Sequence, residues 1–304
     1  DAGLQEEALN NEIAIPDAAR YQPSDPPRAS ENAVSEVADL LLAAKNPICM
    51  IGRSARTEEA WNNRVKLAEA IGAGVFTNLR NAAVFPSNHL LHVGRPSGGV
   101  NPMMRETIHG ADVVLSLNWL DFGGTQRLLK RDSDIKAKLI NCTLEQYVHS
   151  GFGMELFELP AADIKIDADH DALVEQLLAE FARRGAKSTW DGIRVGPDPE
   201  VFEAIANRPA DVSIEPADIV TALAETQHDR KLSINRVSSG GIGPAYEITH
   251  PLSYLGHDGG GGLASGPGTS VGAALAVRGT EWLPVAVLGD GDFMQGNTAL
   301  WTAA

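Results

Sequence analysis

The chain reads as an α/β protein of two consecutive parallel-sheet units, a complete Rossmann-like unit followed by the first part of a second. Three observations predict this. Short apolar runs recur at 48–51, 75–78, 113–117 and 138–142, too short for helices and free of internal Gly or Pro. Between them stand stretches whose apolar residues follow a helical period. After a polar, proline-bearing interval the same alternation starts again near 215. Strands apolar on both faces need helices on both sides of the sheet, which is the parallel arrangement.

Residues 1–30 are polar and carry Pro23, Pro26 and Pro27, so they read as an extended linker. Ser30 is placed to cap a helix whose Val34, Val37, Ala38, Leu41 and Leu42 share one face. Asn46 and Pro47 end it, and 48–51 is a buried strand stopped by Gly52. A helix over 57–71, a strand over 75–78 and a Pro- and Gly-rich loop over 86–102 follow. Next come a helix over 103–109, strands at 113–117, 138–142 and 164–166, and a helix over 171–183 with Leu173, Val174, Leu177, Leu178 and Phe181 on one side. The first unit is thus expected over 31–190. The polar interval 185–208 reads as linker, assigned to 191–210, with a short helix around 201–205. The second unit, 211–304, has Pro216 at the first position of a helix, where its missing N–H is harmless. A strand over 232–237, a Gly-rich segment, a small-residue helix over 266–277 and a strand over 283–288 complete it. The chain begins at Asp1 without Met and ends at Ala304 inside an expected helix from 298, so it is read as an internal piece of a longer protein.

The formal net charge of −15 argues against nucleic acid, whose phosphates need clustered Lys and Arg. No apolar run is long enough to span a bilayer. Cys49 and Cys142 sit alone in apolar stretches, a usage that fits a reduced, cytoplasmic protein better than a disulfide framework or a metal site.

Two motifs carry chemistry. The apolar strand near 283–288 delivers the chain to Gly289, Asp290, Gly291 and Asp292. At the carboxyl edge of a parallel sheet this presents a carboxylate and free backbone N–H groups, with no side chain on either flanking glycine. A hard cation such as Mg²⁺ takes such an oxygen ligand while bridging to phosphate. Taken alone, the motif is more simply a tight turn with a solvated Asp. The second motif changes that reading: four glycines at 259–262 and Leu263 precede a helix of Gly, Ala, Ser and Thr. So much glycine is entropically costly. It is explained where backbone lies flat against a ligand.

Together, Gly261, Gly262, Leu263, the small-residue helix, the strand and Gly289–Asp290–Gly291 resemble the thiamine-diphosphate-dependent enzymes of the acetolactate synthase, pyruvate decarboxylase and benzoylformate decarboxylase group. The resemblance covers nearly the whole chain. It implies a central domain over 31–190, a truncated diphosphate-binding domain from 211, and the end of a pyrimidine-binding domain before residue 30. It further implies a Mg²⁺ ligand in Asp290 and a diphosphate met by Gly289 and the backbones of Gly291 and Asp292. A large apolar wedge beneath thiamine diphosphate would be Leu263, with aminopyrimidine contacts from Gly261 and Leu263, and with Gly262 also binding the cofactor. The activating Glu of the family lies in the pyrimidine domain, and its Mg²⁺-binding Asn falls beyond 304, Asn297 being too close. No catalytic residue is therefore expected within this piece, which alone should be inactive. The implied parent is a homodimer or homotetramer acting on a 2-oxo acid, by acetolactate synthase-like carboligation in the first reading and benzoylformate decarboxylase-like decarboxylation in the second. A non-catalytic nucleotide-binding relative and a regulatory relative that has lost catalysis are the rivals.

The resemblance leaves FAD open in the central domain, and the residues disfavour it. The loop 92–99 is the candidate phosphate contact. Yet Gly52, Arg53, Ser54 and Ala55 replace a glycine fingerprint after the first strand, and 118–124 lacks the family's Gly-Arg pair. Elsewhere plainer readings prevail: loop solvation for His257 and Asp258, a structural turn for His250 and Pro251, a solvated carboxylate for Glu247.

Overall fold

Apolar strands joined by capped helices build the architecture, which the computed structural model describes for residues 14, 16–22, 24–131, 133–145, 159–196, 209, 211, 213, 214, 216–226, 230–237, 246–256 and 262–304. The expected helix at 201–205 and the residues His257, Asp258 and Gly261 lie outside these.

The first unit runs α1 (Glu31–Ala43), β1 (Pro47–Ile51), α2 (Glu58–Ile71), β2 (Gly74–Thr77), α3 (Pro102–His109), β3 (Val113–Leu117), α4 (Phe122–Leu129), β4 (Lys138–Cys142), β5 (Ile164–Ile166) and α5 (His170–Arg183). Its five strands are all parallel, in the order β2-β1-β3-β4-β5. Every residue of β1, β2 and β3 is buried, as strands covered on both faces require. The helices start where a side chain can take an orphan N–H. Ser30, Thr57, Asn101, Asp121 and Asp169 each accept from the residue three positions on. The helix α2 ends on Gly72, whose left-handed φ of 61° costs a glycine nothing.

The second unit adds α6 (Pro216–Thr226), β6 (Lys231–Val237), β7 (Tyr254–Gly256), α7 (Ser265–Ala276), β8 (Trp282–Val287), α8 (Asp290–Gly296) and α9 (Ala299–Ala303). Its three strands are also parallel, ordered β7-β6-β8. An apolar cluster joins the units: Trp61, Leu79 and Ala83 from the first pack with Leu232, Ile234, Ile248 and Tyr254 from the second.

Three features differ from the sequence reading. The helix α4, which runs through Gly123 and Gly124, was not expected. It forms since Asp121, at φ 53°, folds its carboxylate back onto the Gly124 N–H at 2.9 Å. A Cβ on Gly124 would lie 2.1 Å from that carboxylate, so glycine is what permits the cap. The strand β7 has only three residues and no periodicity to announce it. The start of the expected linker, residues 187–195, instead packs on the first unit. Trp190 and Val195 press on its core, and Thr189 and Val195 donate backbone bonds to Ala70 (3.1 Å) and Leu90 (2.9 Å).

The loop residue His92 is a core histidine. It is 1% exposed, its Nδ1–H donates to the Gly94 carbonyl at 2.9 Å, and its Nε2 accepts from the Thr77 hydroxyl at 2.9 Å. Burial holds its pKa down at about 4, against an ordinary 6.5. Between those values the unfolded chain binds a proton that the native chain refuses, so stability is full above about pH 6.5 and falls as pH drops toward 4. Burial pushes His170 in the same direction. Urea denaturation at about pH 7 and about pH 5 should show wild type weaker at the lower pH, and His92→Gln should lose part of that difference.

Candidate functional site

Both sheets end at carboxyl edges where α/β proteins place ligands, and the two edges are built differently. In the first unit the strand order reverses between β1 and β3, opening a crevice there. Its volume is about 570 Å³, and Arg53, Ser54, Thr57, Asn118, Asp169 and His170 are among its lining. The amides that would cradle a phosphate are spent on protein. Gly52 N–H donates to Leu117 O (2.8 Å), Arg53 N–H to Asn118 O (3.2 Å) and Ala55 N–H to Asp171 Oδ2 (2.7 Å). The loops touch so closely that a Cβ on Gly52 would sit 1.8 Å from Asn118 O. At three helix N-termini, those of α2, α4 and α5, a cap side chain takes one of the orphan amides.

Asp169, His170 and Asp171 stand close enough to hold a metal ion. Their ligand atoms are already engaged: Asp171 ion-pairs with the buried Arg64, Asp169 caps α5, and His170 Nε2 meets Ser54 Oγ at 2.9 Å. Arg53 ion-pairs with Glu145. The loop 92–99 likewise serves the sheet, since Ser97 O accepts from Leu79 N–H at 3.0 Å. This edge offers little to a flavin diphosphate.

The second edge is open. The strand β8 ends at Val287, Leu288 and Gly289 follow, and α8 begins at Asp290. Gly289, Asp290 and Gly291 are all exposed, and a Cβ on either glycine would meet nothing within 4 Å. The Asp290 carboxylate stays at the surface, with Oδ1 accepting from Gly291 N–H at 2.8 Å. Two residues on, Asp292 turns the other way and is buried. Its Oδ1 lies 3.5 Å from Gly266 N–H, in the first turn of α7, where a carboxylate is favoured by the helix dipole. The motif thus splits its two carboxylates, one outward and one locking α7 onto α8. Close packing at the lock uses glycine twice: a Cβ on Gly266 would lie 2.3 Å from Asp292 Oδ2, and one on Gly296 would lie 2.2 Å from Ala264 O. Gly262 and Leu263 precede α7 and are exposed, Leu263 to 65%. An open, mostly apolar cleft of about 640 Å³ lies alongside, its lining including Ser270, Ala286, Leu288, Gly289, Asp290 and Phe293.

An outward carboxylate between unobstructed glycines, at the end of a parallel strand, has the donor chemistry for a hard cation carrying a phosphate ester. The expected residues Gly262, Leu263, Gly289, Asp290, Gly291 and Asp292 all fall on this edge. His250 does not: it stacks on Trp282 at 4.7 Å and its Nε2 lies 3.2 Å from Glu58 Oε1, tying the units together. Glu247 is exposed. Sequence reasoning missed Arg64, Asn81 and Asn235, whose importance shows only in their burial.

Residues 34–145 match the family profile described as thiamine pyrophosphate enzyme, central domain. An acetolactate synthase of Mycobacterium bovis is 25% identical over 298 residues, covering 93% of this chain and 45% of its own length. Among solved structures, benzoylformate decarboxylase of Polynucleobacter necessarius superposes with a TM-score of 0.70 at 17% identity, over 97% of this chain and 52% of that one. A thiamine diphosphate-dependent 4-hydroxybenzoylformate decarboxylase of Rhodococcus jostii gives 0.64 at 22% identity, over 100% and 51%. The chain therefore spans about half the length of the relatives it matches.

The lock between α7 and α8 predicts opposite effects for two glycines. Gly266→Ala should lower the thermal midpoint, by overpacking worth about 1–3 kcal/mol. Gly272→Ala, with nothing within 4 Å, should leave it unchanged or raise it. Melting curves followed by circular dichroism check both.

Proposed function

We propose that the chain, whose residues 34–145 match the central domain of thiamine pyrophosphate enzymes, is the central and diphosphate-binding portion of a Mg²⁺-dependent enzyme acting on a 2-oxo acid. The observation that carries this is the exposed Asp290 carboxylate between two unobstructed glycines at the carboxyl end of β8. Asp290 would hold Mg²⁺, and the backbones of Gly289, Gly291 and Asp292 would face the diphosphate. Gly261, Gly262 and Leu263 would hold the aminopyrimidine end. When bound, thiamine diphosphate supplies the nucleophile and electron sink for cleaving the bond between a keto carbon and its neighbour. The chain's own contribution is to orient the cofactor and to fix the edge it rests on, through the inward Asp292 and the closely packed start of α7.

Carboligation of the acetolactate synthase kind is the first reading, supported by a match to such a synthase that runs through both units. Decarboxylation of the benzoylformate kind is the second, supported by the fold of two decarboxylases. The family resemblance implies assembly as a homodimer or homotetramer. A reducing, cytoplasmic setting suits Cys49 and Cys142, both unpaired and buried, their thiol pKa values pushed up to about 12 by burial.

Full-length protein should bind thiamine diphosphate with Mg²⁺ in calorimetry, and Asp290→Asn should weaken that binding at least roughly ten-fold. Assays with pyruvate and benzoylformate separate the readings: acetolactate supports the first, benzaldehyde the second, and turnover of neither with cofactor bound rejects both substrates. The purified protein should also lack flavin absorbance and gain none on adding FAD, because the Gly52, Arg53 and Ala55 amides at the β1–β3 edge are already bonded to protein. Tightly bound flavin would overturn that account of the crevice.

A further inference from the structure

Among the described residues, two buried carboxamides hold atoms without a hydrogen-bond partner, and both stand at the carboxyl edge of the second sheet. Asn235, near the end of β6, is fully buried and lies in register with Gly256 on one side and Ala286 on the other. Its Oδ1 accepts from Ser270 at 3.2 Å, while its Nδ2 has no partner. Asn81 comes from the first unit and is 1% exposed, with neither Nδ2 nor Oδ1 partnered.

The placement of Asn81 is enforced from both sides. Asn81 N–H donates to Asn78 O at 3.0 Å, Arg80 N–H donates to Asn78 Oδ1 at 2.8 Å, and Leu79 N–H donates to Ser97 O. Flanking it, the Tyr254 hydroxyl donates to Leu79 O at 2.7 Å and Ala83 N–H donates to Tyr254 O at 2.8 Å. Further along, Ser87 and Ile248 exchange two bonds, at 2.8 and 2.9 Å. Residues 79–87 therefore run as a rail along 248–256. At its tip Gly256, with φ +74°, lies so close that a Cβ there would be 2.4 Å from the Asn81 carbonyl carbon. Asn81 cannot swing out to water. It abuts the residue from which the chain leaves for its glycine run, about two strand spacings, roughly 10 Å, from the end of β8.

Buried polar groups in native proteins are nearly always satisfied, so a trapped, unsatisfied carboxamide marks a partner that arrives later. Two of them on the edge that carries Asp290 point to what arrives. We propose that Asn81 is a positioning residue of the cofactor site. Its carboxamide gains partners only when thiamine diphosphate and Mg²⁺ occupy the edge, and through Gly256 it couples the first unit to that occupancy. The inference rests on the reading of the site given above.

The test is Asn81→Leu in the full-length protein, a near-isosteric change that removes both unsatisfied atoms. Without cofactor its thermal midpoint should equal or exceed that of wild type, since no buried polar group is left unpaired. Its affinity for thiamine diphosphate with Mg²⁺ should fall roughly ten-fold, the loss of about one hydrogen bond. A purely structural asparagine moves these readings the other way, with a lower cofactor-free midpoint and unchanged affinity, and that result overturns the proposal. If the Leu variant does not fold, the affinity of Asn81→Ser decides in its place, by the same criterion. Wild type that binds no cofactor, or Asp290→Asn that binds it as tightly as wild type, instead rejects the reading of the site, and this inference falls with it.

Discussion

The first unit is organised around one buried cation. The Arg64 side chain is fully buried in α2, and its guanidinium is shared among three elements: an ion pair with Asp171 at the start of α5, a bond from Nε to Val84 O at 2.9 Å, and one from Nη2 to Ala55 O at 3.0 Å. Asp171 spends its other oxygen on Ala55 N–H. Burial draws the Arg64 pKa down and the charge of Asp171 draws it back up. A buried pair adds little net stability over an apolar substitute, but leaving one partner alone costs about 3–5 kcal/mol. The arrangement is therefore one that the surrounding elements must satisfy together.

Consequences run in two directions from that cation. Toward the β1–β3 crevice, Arg64 and Asp171 hold the turn after β1 at Ala55, Arg64 donating to its carbonyl and Asp171 accepting from its N–H. Toward the second unit, the bond to Val84 holds the rail 79–87 in place, and the rail carries Ala83, Ser87 and the carbonyl of Leu79 to their partners on 248–254. One desolvated charge thus braces both the turn after β1 and the rail beside the second sheet. The two sheets share a parallel topology, yet among the described residues the second edge exposes Gly289, Asp290 and Gly291 while the first commits the amides of Gly52, Arg53 and Ala55 to protein.

The two edges differ in charge as well as in geometry. Around the first, Asp121, Asp169 and Asp171 serve helix starts and Arg64, so their carboxylates are structural. Around the second, Asp292 is structural in the same way while Asp290, two positions away, is not. A short helix turns side chains about 100° per residue, so neighbours in a Gly-Asp-Gly-Asp run divide between core and solvent. Local geometry, not residue type, decides which carboxylate remains available.

Much of this was legible in the sequence. Apolar runs such as 113–117, caps such as Ser30 and Thr57, and the Gly-Asp-Gly turn after an apolar strand depend on local sterics and period, which the order of residues determines by itself. So did the parallel architecture and the placing of Leu263, Gly289, Asp290 and Gly291 near one edge. What only the tertiary structure decided involves residues distant in the chain. The helix through Gly123 and Gly124 needed Asp121 to turn back, and the packing of 187–195 needed a surface for Trp190 and Val195. Arg64 needed Asp171, 107 positions away, and Asn81 needed Gly256. An arginine or asparagine in a sequence is by default solvated. Only the packing of other elements around it removes the water, and that desolvation turns an ordinary polar residue into a constraint on the whole.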